Sequence, residues 1–223
     1  RVTGFDRGII RDVTATLGLS RPLVLHPAWM HQVLYPYFTA QRGLQWLNDQ
    51  MGLSMLPDLP LPEGLVLPEK FVAAKFYWRT TFPRHEHTMA LARAVLTQVA
   101  AVQPVVMLNQ PHHVDDHSDF APKDIPGVQY LSDLTTIPLE NDIGVQLAVL
   151  SRSMGFAGTY GGLGQTATFF KKPTVTFYTD LNGASIVHKH LSDWIAVSSG
   201  TSFHAIKTTD IGLLSHVLPG ITG

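Results

Sequence analysis

The chain has 223 residues, and 45% of them are hydrophobic, so it is long enough to bury a core and is folded rather than disordered. Its 16 Lys and Arg against 17 Asp and Glu give no positive excess, which argues against nucleic acid or an anionic membrane as a partner. The absence of cysteine excludes disulfides, thiolate catalysis and cysteine-bound zinc. No apolar run approaches the roughly 20 residues of a membrane span, and no signal peptide is visible, so we expect a cytoplasmic protein.

The first part of the chain predicts helices followed by a proline-rich crossing. Residues 28–48 have a helical pattern that a proline and a glycine interrupt, which predicts two helical pieces. Four prolines in residues 55–68 exclude both a helix and a central strand. We therefore predict a mainly helical N-terminal segment over residues 1–68 and a second domain over residues 69–223.

From residue 70 onward, predicted strands alternate with predicted helices. The strands are predicted over residues 71–77, 105–108, 128–131, 155–159 and 174–178. The helices are predicted over residues 85–101, 139–154, 164–172 and 181–198, with a last helical piece over residues 211–218. This alternation is typical of βαβ units, so we predict an α/β fold with a Rossmann-like parallel sheet covered by helices on both faces.

Ligands of such sheets bind outside the carboxyl ends of the strands. This rule selects the four loops over residues 75–83, 109–120, 132–141 and 159–165. These loops hold most of the residues in the chain that could carry chemistry.

Residues 155–178, GFAGTYGGLGQTATFFKKPTVTFY, lead from a small-residue strand through closely set glycines into a short helix. Glycines let backbone N–H groups approach a ligand, and the start of a helix offers unpaired N–H groups and a positive dipole end. Both features suit a phosphate group. The stretch therefore predicts a nucleotide or nucleotide-sugar diphosphate site, although a tight turn without a ligand remains an alternative.

A further interpretation of the same glycines is a dinucleotide site. Residues 162–167 match G-x-G-x-x-A, and Asp180 follows the first glycine by 18 residues, as in the Rossmann fingerprint. Only one clear strand is predicted after this motif, whereas a dinucleotide fold needs further units.

Residues 111–120, PHHVDDHSDF, form a cluster of histidines and aspartates after a strand. His112, Asp116 and His117 fit the H-x-H-x-D-H pattern of metallo-β-lactamase-like hydrolases, but Val114 occupies the middle histidine position. The remaining metal ligands would come from His188, His190 or His204. A loop that lines a substrate cleft and a solvated loop are the other interpretations. Asp116 and His117 could also supply a general base, because histidine titrates near neutral pH.

The segments AAKFYWRTTFP, VVMLNQPHHVDDHSDF and AGTYGGLGQTATFFKKPTVTFY, in this order, resemble the carboxy-terminal half of GT-B glycosyltransferases. The resemblance is to a group of bacterial glycosyltransferase-like proteins that carry VKFY, DDH and GTYGG segments. LHPAWM at residues 25–30 resembles a further segment of that group, so the resemblance extends over most of the chain. It implies a nucleotide-sugar-binding domain in which a glycine-rich turn and a helix N-terminus hold the diphosphate.

The resemblance also implies roles for particular residues. Lys75 or Arg79 would supply the counter-charge to the diphosphate, with a structural ion pair as the alternative for Lys75. Asp116 and His117 would deprotonate the acceptor or contact the donor sugar. The full set implied for the donor is Lys75, Arg79, Thr159, Tyr160, Gly161, Gly162, Gly164, Gln165, Thr166 and His188.

One position departs from the family pattern. Many GT-B enzymes hold the donor ribose through a glutamate seven residues before the proline of a G-x-P step. Counting back from Pro173 gives Thr166, which can form a hydrogen bond but carries no charge.

The implied function is transfer of a sugar from a nucleoside-diphosphate sugar to an unidentified glycan or other acceptor, with no metal or other cofactor. The alternatives are an NAD-type oxidoreductase that uses Gly162, Gly164 and Asp180, and an interaction module without a ligand. The first domain of a GT-B enzyme is not evident in 68 residues. We therefore expect either that it lies upstream of Arg1 or that this chain is a reduced relative.

Overall fold

The computed structural model describes residues 55–109, 118–138, 141–181 and 184–223, together with residues 41–51 and positions 11, 15, 36, 37 and 39. By its contacts the chain divides into two units, Arg1–Ser54 and Met55–Gly223. The first unit contains helix α1, Leu44–Met51. The earlier of the two helical pieces predicted in this unit lies mostly outside the described residues.

The second unit contains strands and helices in alternation. Its strands are β1 Val72–Lys75, β2 Tyr77–Trp78, β3 Val105–Met107, β4 Ser118–Asp119, β5 Val128–Tyr130, β6 Gly155–Thr159, β7 Thr174–Tyr178 and β8 Phe203–Lys207. Its α-helices are α2 Glu86–Ala100, α3 Leu131–Leu134, α4 Asp142–Arg152, α5 Gly162–Phe169, α6 Ala184–Ser199, α7 Leu214–Val217 and α8 Pro219–Thr222, with a 3-10 helix, Thr208–Leu213, before α7. Among the described residues, no helix is long and apolar enough to cross a membrane.

Six of the strands form one parallel sheet in the order β5-β3-β1-β6-β7-β8. The prediction of an α/β fold with a Rossmann-like parallel sheet is therefore confirmed. Counted along the chain, these strands have the order 3-2-1-4-5-6 of doubly wound folds. From β1 the chain adds β3 and β5 on one side of the sheet, and it then adds β6, β7 and β8 on the other side. The direction of winding therefore reverses between β1 and β6. The two short strands β2 and β4 pair with each other in a separate antiparallel ribbon.

Helices cover both faces of the sheet, as the apolar strand sequences require. In β1, Val72 and Ala74 contribute to one core, which includes the buried face of α2. Phe71 and Ala73 contribute to a second core, which includes Val149 and other buried residues of α4. The alternation along β1 therefore sends successive side chains into opposite cores.

The expectation that only one clear strand follows the glycine motif is wrong, because β7 and β8 both follow it. Strand β8 pairs with β7 over its full length and lies at the edge of the sheet. It exposes His204 and Lys207, so it lacks the apolar run that marks a buried strand. The strand predicted over residues 71–77 is divided at Phe76, where the chain leaves β1 and enters β2.

The proline-rich segment over residues 55–68 is part of the second unit. The N–H of Leu56 donates to the carbonyl of Phe169 at 2.9 Å, and the N–H of Leu59 donates to Oγ of Ser151 at 3.1 Å. Buried Leu65 contributes to the core that contains α4. The prolines exclude regular structure here, but the leucines between them pack as core residues.

Candidate functional site

The candidate site lies where the winding of the sheet reverses, at the carboxyl ends of β1 and β6. In the parallel register Lys75 is opposite Gly158, and a Cβ at Gly158 would overlap the carbonyl oxygen of Lys75. The pairing places the loops that leave these two strands next to each other, and doubly wound folds bind ligands in the crevice at such a point. These loops carry residues 79–82, which we name the arginine turn, and residues 161–164, which we name the glycine turn.

Aromatic packing holds the arginine turn over the end of the sheet. The rings of Trp78 and Phe82 stack with centroids 5.8 Å apart, and the ring of Phe76 stacks on that of Phe177 in β7 at 6.0 Å. Arg79 and Phe82 exchange two backbone hydrogen bonds, at 3.1 and 2.9 Å. These contacts fix the backbone of the turn, while the Arg79 side chain lies at the surface.

Thr159 joins the loop after β1 to the end of β6. Its hydroxyl accepts from the N–H of Tyr77 and donates to the carbonyl of Tyr77, both at 3.0 Å. The residue is 1% exposed. Thr159 was expected among the donor-binding residues, and the structure shows its hydroxyl engaged by backbone instead.

The glycine turn and the arginine turn meet at Gly161. A Cβ at Gly161 would overlap the hydroxyl of Tyr77 and would lie 3.5 Å from Nη1 of Arg79. Helix α5 begins at the next residue, Gly162, and no side chain caps it. The structure therefore places the Arg79 guanidinium beside the unpaired N–H groups and positive dipole end of α5.

The donors farther along α5 are used within the helix. The N–H of Gln165 donates to the carbonyl of Gly161 at 3.1 Å, and the hydroxyl of Thr166 donates to the carbonyl of Gly162 at 2.8 Å. The N–H groups without an intrahelical acceptor are therefore those of residues 162–164. Gly164 allows α5 to pack closely on β7, because a Cβ at this position would lie 2.5 Å from Cγ2 of Thr176.

Tyr160 anchors the glycine turn through the hydrogen bonds of its hydroxyl. Its hydroxyl donates to the carbonyl of Ser185 at 2.8 Å and accepts from Nε2 of Gln165 at 3.4 Å. Burial raises the pKa of the Tyr160 hydroxyl to about 12. Tyr160 is therefore a neutral structural residue at neutral pH and not an acid–base group.

Lys75 belongs to a buried polar cluster at the end of β1. Its Nζ donates to Oε1 of Gln146 at 3.0 Å and lies 3.6 Å from Oδ2 of Asp119. Gln146 in turn donates to Oδ1 of Asp142 at 3.2 Å. The Lys75 side chain is only 12% exposed. A structural ion pair was the alternative role that the sequence left open for Lys75, and Asp119 is the partner in that pair.

Arg79 is the cation that faces the glycine turn. Across the described ranges, no carboxylate forms a salt bridge with Arg79, in contrast to Lys75. A guanidinium offers several donors in a fixed plane, which suits two phosphate oxygens at once.

The chain matches no known protein in three comparisons. No family model matches it, and neither a curated protein nor a solved structure does. The functional argument therefore depends on the residues and their geometry.

The remaining predicted site residues are placed as follows. Asp116 and His117 lie in residues 110–117, outside the described residues. His188 was expected on a loop after a strand, but it lies within α6, where its carbonyl accepts from Oγ of Ser192 at 2.8 Å. Among the described residues, no three His, Cys, Asp or Glu side chains are grouped to hold a metal ion.

Sequence reasoning missed three buried polar atoms at this edge of the sheet. They are Oγ1 of Thr81, Oγ1 of Thr179 and Oδ1 of Asn109, and no group of the described residues forms a hydrogen bond with any of them. Thr179 directly follows β7, Asn109 lies two residues after β3, and Thr81 lies in the arginine turn, so the position alone could have drawn attention to each of them.

Proposed function

We propose that the Met55–Gly223 unit binds a nucleoside-diphosphate sugar at the crevice between β1 and β6, and that the protein transfers the sugar to an acceptor. The observation that carries the proposal is the position of Arg79, whose Nη1 lies 3.5 Å from where a Cβ of Gly161 would be. A cation and a helix N-terminus that converge on one point favour a diphosphate.

The chemistry of glycosyl transfer explains why this arrangement would catalyse. Negative charge builds on the departing diphosphate as the bond to the sugar breaks, so groups that stabilise this charge accelerate the step. The N–H groups of residues 162–164 and the guanidinium of Arg79 would serve this purpose without a metal ion. The hydrogen bonds of Tyr160 hold the glycine turn in place, so the N–H groups of α5 need little reorganisation.

Lys75 has a supporting role in this proposal. Its ammonium group is engaged by Gln146 and Asp119, which keeps the end of β1 in position beneath the arginine turn. Arg79 is assigned the contact with the diphosphate. Deprotonation of the acceptor is assigned to Asp116 or His117, which follow β3 in the sequence.

A thermal-shift panel of UDP, GDP, TDP, CMP and NAD tests the proposal. A ligand at 100 times its Kd stabilises a protein by about 2.7 kcal/mol. We expect at least one nucleoside diphosphate to raise the Tm, and we expect Arg79→Gln to remove that shift. Arg93→Gln is the matched control, because Arg93 is an exposed arginine that pairs with Asp124 on another part of the unit.

The other outcomes separate the alternatives. A shift with NAD alone that Asp180→Ala removes would show a dinucleotide site and overturn the glycosyltransferase proposal. No shift with any nucleotide would overturn the binding site itself and favour an interaction module. Where a nucleoside diphosphate binds, its release from the corresponding sugar nucleotide reports the transfer reaction.

A further inference from the structure

Thr81 and Thr179, two threonines with buried hydroxyls, are joined by a backbone hydrogen bond at the carboxyl end of β7. Thr179 directly follows β7, and its N–H donates to the carbonyl of Thr81 in the arginine turn at 2.7 Å. Thr81 is only 7% exposed. Within the part of the chain that the structure describes, neither hydroxyl has a hydrogen-bond partner.

Such a pair is unusual because buried hydroxyls are normally paired. Other threonines of the same unit follow that rule: Thr159 bonds to Tyr77, and Thr174 donates to the carbonyl of Lys172 at 2.9 Å. A hydroxyl can both donate and accept, so Thr81 and Thr179 retain their full capacity for a polar ligand.

The position of the pair follows from the βαβ unit formed by β6, α5 and β7. In nucleotide-binding units of this kind, the phosphates lie at the N-terminus of the helix and the ribose lies over the carboxyl end of the next strand. That next strand is β7, which Thr179 and the exposed Asp180 follow. The arginine turn spans both places, because Arg79 reaches Gly161 and Thr81 reaches Thr179.

We infer that the end of β7 is a ribose subsite, in which Thr81, Thr179 and Asp180 bind the ribose 2′-hydroxyl. This inference rests on the proposed diphosphate site and specifies its ligand as a ribonucleoside diphosphate. It also supplies the ribose contact that Thr166 does not, since the Thr166 hydroxyl donates to Gly162 within α5.

The arginine turn must move for such a ligand to bind. Both threonine oxygens are covered in this structure, whereas Asp180 and the tip of the turn, Arg79 and Thr80, are exposed. The ribose would meet Asp180 first and then displace the tip of the turn from the strand end.

Calorimetric titration with ribonucleotide and deoxyribonucleotide pairs tests the inference. The probes are UDP with 2′-deoxy-UDP, and GDP with 2′-deoxy-GDP. We expect the wild type to bind the ribose form about ten-fold tighter, the equivalent of one good hydrogen bond. We expect the ratio of the deoxy-form Kd to the ribose-form Kd to fall in each of three variants, Thr179→Val, Thr81→Val and Asp180→Asn. The Kd of the deoxy form should stay within about two-fold of the wild-type value.

Thr201→Val is the matched control. Thr201 also has an unpartnered buried hydroxyl, but it precedes β8 and so lies at the opposite edge of the sheet. We expect all three Thr→Val variants to be at least as stable as the wild type, since each removes an unsatisfied polar group. Of these three, only Thr81→Val and Thr179→Val should change the ratio of the deoxy-form Kd to the ribose-form Kd.

The outcomes distinguish the inference from the proposed function. Equal binding of the ribose and deoxy forms by the wild type would overturn the ribose subsite and leave the diphosphate site intact. An unchanged ratio in Thr179→Val and Asp180→Asn would also overturn it. Absence of binding by every nucleotide would overturn the proposed function and the subsite with it.

Discussion

At the scale of single residues, Gly161 is constrained by the room around it and not by its backbone conformation. Its φ of 170° is extended, which any residue can adopt. The constraint is the hydroxyl of Tyr77, which occupies the place of a Cβ. The absence of a side chain at this position is therefore what allows the two turns to meet.

This constraint predicts the effect of Gly161→Ala. The overlap with Tyr77 should destabilise the fold by about 1–3 kcal/mol and separate Arg79 from the glycine turn, so nucleotide binding should be lost. Urea denaturation and titration measure the two effects. Gly162→Ala is the control, because nothing lies within 4 Å of its Cβ position, and it should change stability by no more than about 0.5 kcal/mol.

A second substitution shows whether the overlap is the cause. Tyr77→Phe removes the hydroxyl that Gly161→Ala would meet, so the double variant should recover part of the lost stability. Equal stability of Gly161→Ala and Gly162→Ala would show that Tyr77 does not confine the turn.

Tyr160 predicts a dependence of stability on alkaline pH. Burial raises the pKa of its hydroxyl from 10.0 to about 12. Because the pKa in the folded state exceeds that in the unfolded state, this contribution is fully present below pH 10 and is lost as the pH rises through 12. Denaturation curves should show the wild type losing its advantage over Tyr160→Phe across this range. A constant difference between the two proteins would contradict the assignment.

Some of these residues could be recognised from sequence and others could not. The glycines and Arg79 stand out because glycine next to a helix start and a cation on a preceding loop suit phosphate. The partner of Lys75 could not be found in this way, because Gln146 is 71 positions distant. Thr81 and Thr179 are marked in the sequence only by their positions after predicted strands, and the lack of a hydrogen bond at their hydroxyls is seen only in the structure.

At the scale of elements, close packing of α5 on β7 aims the helix at the site. Gly164 brings the first turn of α5 against Thr176, with 2.5 Å between its Cβ position and Cγ2 of Thr176. The helix N-terminus depends on this approach, because any larger residue would push the first turn of α5 away from the strand.

We predict that Gly164→Ala destabilises the protein by about 1–3 kcal/mol through this contact. Thr176→Ser removes Cγ2 and retains the hydroxyl, so it should offset part of that loss in the double variant. The measurement is a double-mutant cycle of unfolding free energies. Additive effects of the two substitutions would show that the methyl group does not set the distance between helix and strand.

The elements differ in how well the sequence predicted them. Strands β6 and β7 have the predicted bounds, because small and β-branched residues between clear turn signals form a short buried run. Strand β8 was missed because it lies at the edge of the sheet and exposes His204 and Lys207, which interrupt the apolar pattern of a buried strand. The break at Phe76 was missed because Phe76 is itself a buried apolar residue and carries no turn signal.

At the scale of the whole molecule, the order of the strands creates the site. Alternating strands and helices predict a parallel sheet, but they do not specify which strands are neighbours. The pairing of β1 with β6 brings together two loops that are far apart in the sequence. The carboxyl-edge rule selected both loops, and only the topology shows that they leave neighbouring strands.

Hydrogen–deuterium exchange tests the central claim, that a nucleoside diphosphate binds at this crevice. The probe is UDP or GDP, whichever raises the Tm. We predict slower exchange for the amides of the glycine turn and the arginine turn, and no change at residues 102–104 and 171–173, which lie at the opposite edge of the sheet. Protection confined to that opposite edge, or no protection at either turn, would contradict the account.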